Sequence, residues 1–227
     1  MRVLVFGATG MVGQGVLREC LLDPSIDAVQ TIGRSETGVV HAKLRNLVRA
    51  DLTNYSDIEA DLCGFDACFY CLGVASAGLD EAQYERMTFG LALAAAESLA
   101  RLNPTMNFVF VSGAGADSSE KGSLMWARIK GKTENALLRL PFKAAYVFRP
   151  ALVQPANGER SKTAWYRVFY GVTGPILPLF RRMFPRYLIS TEEIGLAMIQ
   201  VAKSGAPKKI LESLDIRALC PTPHSTT

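Results

Sequence analysis

Apolar and polar positions in this chain fall in blocks, and the blocks alternate in kind. VLVF (3–6) is a continuous apolar run, followed by a glycine-rich turn and a helical pattern over about 11–22. AVQTI (28–32) predicts a second strand, NLVRAD (46–51) a third, and residues 67–72, between Gly64 and Gly73, a fourth. Residues 80–101 carry a long helical pattern rich in Ala and Leu. NFVFVS (107–112) predicts a fifth strand, about 123–139 a helix closed by Pro141, and AAYVFRP (144–150) a sixth strand. Strands that are apolar on every residue need cover on both faces, and helices between them supply it. The pattern therefore predicts an α/β protein with a doubly wound parallel sheet.

After Pro150 the pattern loosens. A helix is expected over 191–203, opened by a capping box from Ser190 to Glu193. The expected organisation is one domain over 1–220. Within it, residues about 151–213 form a small substrate or lid lobe, and 214–227 are a disordered tail.

Composition narrows the chemistry. A chain of 227 residues can bury one large core without disulfides or metals. The two histidines, His41 and His224, lie far apart. That argues against serine-protease-type and zinc-hydrolase sites, which need positioned imidazoles. Cys68 and Cys71 form C-x-x-C inside an apolar strand, where an offset of three turns them to opposite faces, so they read as core thiols. The odd cysteine count and the lack of a secretory pattern at the N-terminus predict a reducing, cytoplasmic setting. Charge is uneven: residues 1–113 hold 8 Lys/Arg and 13 Asp/Glu, residues 114–227 hold 17 and 8.

The strongest chemical signal is VLVFGATGMVGQGVL. Gly7, Gly10 and Gly13 are spaced G-x-x-G-x-x-G directly after a strand and at the start of a helix. Gly7 permits the sharp turn, Gly10 lets a pyrophosphate approach the main chain, and Gly13 lets helix and strand pack closely. The turn Thr9-Gly10-Met11-Val12-Gly13 is thus expected to hold a dinucleotide. At the end of the second strand a carboxylate would select NAD. This chain has TIGRS, and Arg34 suits a 2′-phosphate, so NADP is expected over NAD. Asp51, expected to close the third strand, either meets an adenine amino group or caps a helix. Gly73 lets the chain pass close to a ribose.

The ordered set GATGMVG, Gly33-Arg34, Asp51-Leu52, Cys71-Leu72-Gly73, VSGAGA (111–116), KGKTE (130–134) and RPALV (149–153) resembles the atypical short-chain dehydrogenase/reductase superfamily. It is most similar to the branch that includes Tat-interacting oxidoreductases. The resemblance runs from residue 3 to about 154 and implies a Rossmann fold and a bound dinucleotide touched by Leu52, Leu72, Lys130 and Pro150. It also implies a catalytic Ser-Tyr-Lys set, from which this chain departs. Lys130 is present, but Trp126 stands where the tyrosine would be, and indole N–H is no acid near neutrality. Gly113 stands at the serine position, with Ser112 adjacent. Lys130 and Ser112 are the candidate catalytic residues, and Tyr84, Tyr166 and Tyr170 are alternative proton sources.

Residues 160–187 hold six Lys/Arg, no acid and seven aromatic residues. This suits either a helix packed on the lobe or peripheral contact with a membrane surface. No nucleic-acid reader motif is present. Three functions stay open: an NADP-dependent oxidoreductase or epimerase-like enzyme acting on a small molecule, a dinucleotide-binding sensor without turnover, and a peripheral membrane protein.

Overall fold

The structure is a computed structural model that describes residues 1–159 and 188–220. The basic aromatic stretch 160–187, with Tyr166 and Tyr170, and the terminus 221–227 lie outside the described residues. Seven parallel strands form the main sheet in the order β3-β2-β1-β4-β5-β6-β9. They are β1 (Arg2–Phe6), β2 (Ala28–Gly33), β3 (Leu44–Val48), β4 (Ala67–Tyr70), β5 (Asn107–Val111), β6 (Ala144–Arg149) and β9 (Ile210–Glu212). The order reverses at β1, which pairs with β2 on one side and β4 on the other. The carboxyl ends of the strands around that point form the crevice where open α/β sheets bind ligands.

The continuous apolar runs became strands buried on both faces; Val3, Leu4, Val5 and Phe6 have no exposed surface. On one face, α1 (Met11–Leu22) and α6 (Thr191–Ser204) pack with Val3, Val5, Phe69 and Val109. On the other, α4 (Leu91–Leu102) and α5 (Met125–Arg139) pack with Leu4, Phe6, Tyr70 and Phe108. Cys68 lies in the second core and Cys71 against the first, and both are free thiols.

Several boundaries differ from expectation. The third strand runs over 44–48 instead of 46–51. It is a half-exposed edge strand whose register is held by Thr31 Oγ1 donating to Asn46 Oδ1 at 2.8 Å. Its ladder ends with Arg49 N–H on Gly33 O, so Asp51 lies beyond the strand. The long helix is three pieces: α3 (Glu81–Glu85), a π-helical turn (Arg86–Gly90) and α4. A short 3₁₀ turn (Ser56–Ile58) leads into α2 (Glu59–Leu62).

The expected lobe is smaller than 151–213. β7 (Leu152–Gln154) and β8 (Leu188–Ser190) pair with each other outside the main sheet. From Thr191 onward the chain belongs to the main body. α6 opens with the expected capping box, Ser190 Oγ accepting from Glu193 N–H at 3.0 Å and Glu193 accepting from Ser190 N–H at 2.7 Å. It packs on α1 so closely that a Cβ on Gly15 would lie 2.5 Å from Thr191. The expected tail from 214 is corrected as well: α7 (Ser213–Ala218) follows β9, with Ile216 fully buried. Among the described residues no helix is long and apolar enough to cross a membrane.

Candidate functional site

The glycine turn connects β1 to α1 at the crevice. Gly7 has φ +75°, and a Cβ there would lie 2.6 Å from Leu72 N at the end of β4. Gly13 sits over Gly7, where a Cβ would lie 2.1 Å from the Gly7 carbonyl. These two glycines let three segments of main chain touch. Gly10 differs. A Cβ there would meet only Gly7 O, at 3.3 Å, so its free side faces open space that any larger side chain would fill. Gly10 is also the N-cap of α1, with no side-chain cap and no acid in the first turn. A helix start of this kind, with main-chain donors on Met11, Val12 and Gly13 and the positive end of the helix dipole, fits a pyrophosphate.

A cleft continues from this turn along β2. Gly7, Ala8, Thr9, Thr31, Ile32, Gly33, Arg34, Ser35, Thr37, Leu52 and Leu72 line it. Arg34 is exposed, has no ion-pair partner among the described residues, and is the one charged group in this lining, which contains no carboxylate. Asn46 accepts from both Thr31 and Thr37 hydroxyls, and so holds the loop carrying Arg34 over the cleft. Asp51 does not line it. Its Oδ1 accepts from the Thr53 N–H and hydroxyl at 2.8 and 2.7 Å, which keeps the carboxyl below its ordinary range; it does not cap a helix, since the 3₁₀ turn at Ser56 has Tyr55 as its N-cap. Gly73 has nothing within 4 Å of its Cβ position and leaves the rim open. Ser35 and Thr37 were not singled out from sequence, and Ala8 and Gly33 only as parts of the GATGMVG and Gly33-Arg34 motifs. The only signal for the first two was proximity to Arg34.

The opposite end of the crevice lies between β5 and α5. Lys130 reaches across from α5. Its Nζ is 5.7 Å from the Phe110 ring centroid, and its Cε lies 4.0 Å from the Cβ position of Gly113. Burial pushes the ammonium down to about 8, against the opposing effect of Glu134. Trp126 packs one turn earlier, its ring 3.2 Å from the Cβ position of Gly115. Pro150 is buried at the end of β6, and its carbonyl accepts from Ala114 N–H at 3.0 Å.

Ser112 departs from its expected role. Its hydroxyl donates to Glu134 Oε1 at 2.5 Å. Glu134 is fully buried and also takes Arg149 Nε on both oxygens at 3.1 Å, while Arg149 continues to Ser118 and Glu212. Ser112 thus belongs to an internal ion-pair network. The signal that sequence reading missed was an acid on the inner face of α5 opposite an arginine ending an apolar strand. Tyr84 is 2% exposed, and burial raises its phenol further, so it is a packed residue of α3. Among the described residues no cluster of His, Cys, Asp and Glu could hold a metal ion.

Comparison with known proteins identifies the family and the fold. The sequence profile of the NAD dependent epimerase/dehydratase family matches residues 3–122. A fungal relative, "Protein fmp52, mitochondrial" of Emericella nidulans, is 30% identical over 182 residues, covering 77% of this chain and 76% of the relative. The same fold occurs in a short chain dehydrogenase family protein from Francisella tularensis (TM-score 0.63, 17% identity, 90% of this chain and 91% of that one). It occurs also in the Bordetella bronchiseptica enzyme WbmF, solved in complex with NAD+ (TM-score 0.66, 16% identity, 96% and 76%). The expected cytoplasmic location is overturned: this relative and its counterparts in other fungi are named mitochondrial proteins. An odd set of free thiols fits any reducing compartment, so cysteine usage could not separate the two.

Proposed function

The chain belongs to the NAD dependent epimerase/dehydratase family, and from that premise we propose that it is an NADP(H)-dependent oxidoreductase with an altered proton-donor site. The observation that carries the cofactor choice is Arg34, alone as a charge in a cleft without a carboxylate. A guanidinium there pairs with a 2′-phosphate, whereas a carboxylate would repel it. The helix start at Gly10 to Gly13 takes the pyrophosphate, and Leu52 and Leu72 flank the adenosine. When bound, the dinucleotide supplies the hydride. Lys130 holds a ribose hydroxyl, and with a pKa of about 8 its ammonium can also give up a proton near neutrality.

No hydroxyl acid stands four residues before Lys130, where Trp126 is found, so turnover on ordinary carbonyls is slow. Positioned acids contribute about 10²–10⁴-fold. The test is NADPH oxidation with a panel of aldehydes and quinones. Rates near 10 s⁻¹, typical of enzymes, would mean that another group donates the proton. Turnover absent from every substrate, with NADPH bound tightly, would favour the sensor reading that Trp126 also supports. The names of the fungal relatives support a mitochondrial location, and fractionation of cells expressing the full chain tests it.

A further inference from the structure

A cavity of about 460 Å³ lies on the outer side of α1. Leu17, Leu21 and Leu22 of α1 and Val39 of the β2–β3 loop give it apolar walls, and residues 157–159 close one end. The volume falls in the range of about 300–1,000 Å³ typical of small-molecule sites. Ala8 and Thr37 line both this cavity and the dinucleotide cleft, so the two share a wall.

Glu159 supplies the chemistry. It lines the cavity and is only 9% exposed. Its Oε2 accepts from Asn157 N–H at 2.7 Å, but its buried Oε1 has no hydrogen-bond partner among the described residues. A buried acceptor left unpaired is costly, and a ligand donor would relieve that cost. The neighbourhood is acidic. Glu19 is buried, burial raises its carboxyl, and Glu192 and Glu159 are close enough to raise it further. Arg18 is the neighbouring guanidinium, and it already pairs with Glu19. Glu159 is the one carboxylate among the described residues of the cavity lining, beside His41 and Arg18, and with Arg18 already paired to Glu19 its unpaired oxygen favours a donor that carries positive charge.

We propose that this cavity binds a small amphipathic amine, its ammonium on Glu159 and its alkyl or aryl body against Leu17, Leu21 and Val39. The site is independent of the dinucleotide reading. The experiment titrates the full-length chain with hexylamine, hexanol and hexanoate by calorimetry and ligand-observed NMR. NADPH affinity is measured by fluorescence on the same samples. Hexylamine is expected to bind at least about tenfold more tightly than the other two, the effect of a charge-assisted bond. Glu159→Gln should remove that margin and leave NADPH affinity unchanged. Val39→Trp, at a position 42% exposed and therefore tolerant of a larger side chain, should fill the cavity and abolish hexylamine binding. Equal affinity for the three probes, no binding of hexylamine, or hexylamine affinity untouched by both variants would overturn the proposal. Selective amine binding by a chain that binds no NADPH would support this site and sink the proposed function separately.

Discussion

The turn between β1 and α1 is a surface of main chain, whereas the end of the crevice between β5 and α5 is a surface of side chains. At the first, Gly7, Gly10 and Gly13 work by lacking a side chain, and what remains is a helix start with unclaimed N–H groups. At the second, Lys130, Ser112, Glu134 and Arg149 crowd together, and each group's availability depends on what its neighbours have taken. A main-chain site tolerates no substitution but needs no orientation. A side-chain site keeps its residue types and still changes its chemistry when one hydroxyl turns toward a different partner.

That contrast can be broken by substitution. The largest effect is expected at the side-chain end, from Glu134→Ala. It strands Arg149 at the edge of the core and leaves Ser112 without an acceptor. Breaking a buried ion pair typically costs about 3–5 kcal/mol, so chemical denaturation should show a loss of that order. A loss under about 1 kcal/mol would mean that the network is replaceable.

Gly10→Val should do the opposite: leave the fold standing and remove dinucleotide binding, by about a hundredfold or more. The side chain would occupy the open space in front of the helix start, and its one close neighbour is the Gly7 carbonyl. NADPH fluorescence and a thermal melt on the same sample measure both halves. Tight binding by the folded variant would show that the turn has another purpose.

Arg34→Ala should weaken NADPH about tenfold or more and leave NADH nearly unchanged, since one charge-assisted pair is worth about 1.5–3 kcal/mol. Equal losses for both cofactors would remove the basis for NADP preference.

The smallest effect concerns Lys130 and divides stability from binding. Burial holds its folded-state pKa near 8, below the unfolded value, so the folded chain binds fewer protons between about 8 and 10.5. Stability should therefore rise with pH across that window. At pH 7 the buried charge is a cost, and Lys130→Met should stabilise the chain by about 1 kcal/mol while weakening NADPH. The gain should shrink as pH rises through the window, because the lysine of the wild type then becomes neutral in both states. A gain independent of pH would show that the ammonium is not the penalised group.

Much of the fold was legible before the structure. Apolar runs such as VLVF (3–6) and NFVFVS (107–112) have only one stable environment, a sheet covered on both faces, and they became β1 and β5. The capping box of α6 was legible for a similar reason, since its two hydrogen bonds lie within four residues. Edge strand β3 starts two residues and ends three residues earlier than expected, because half of it faces solvent and its register depends on Asn46 meeting Thr31 from another strand.

The candidate site divides along the same line. Sequence by itself determined the glycine turn and the place of Arg34, because both follow directly on strands whose positions the apolar pattern already implied. Only the tertiary structure decided that Ser112 is bound to Glu134, that Asp51 caps its own turn, and that Glu159 carries an oxygen unpaired among the described residues beside an apolar cavity. The identity of a polar side chain states what it can donate or accept. Which partner it meets is set by residues distant in the chain, such as Glu134, 22 positions beyond Ser112, and only packing brings them together.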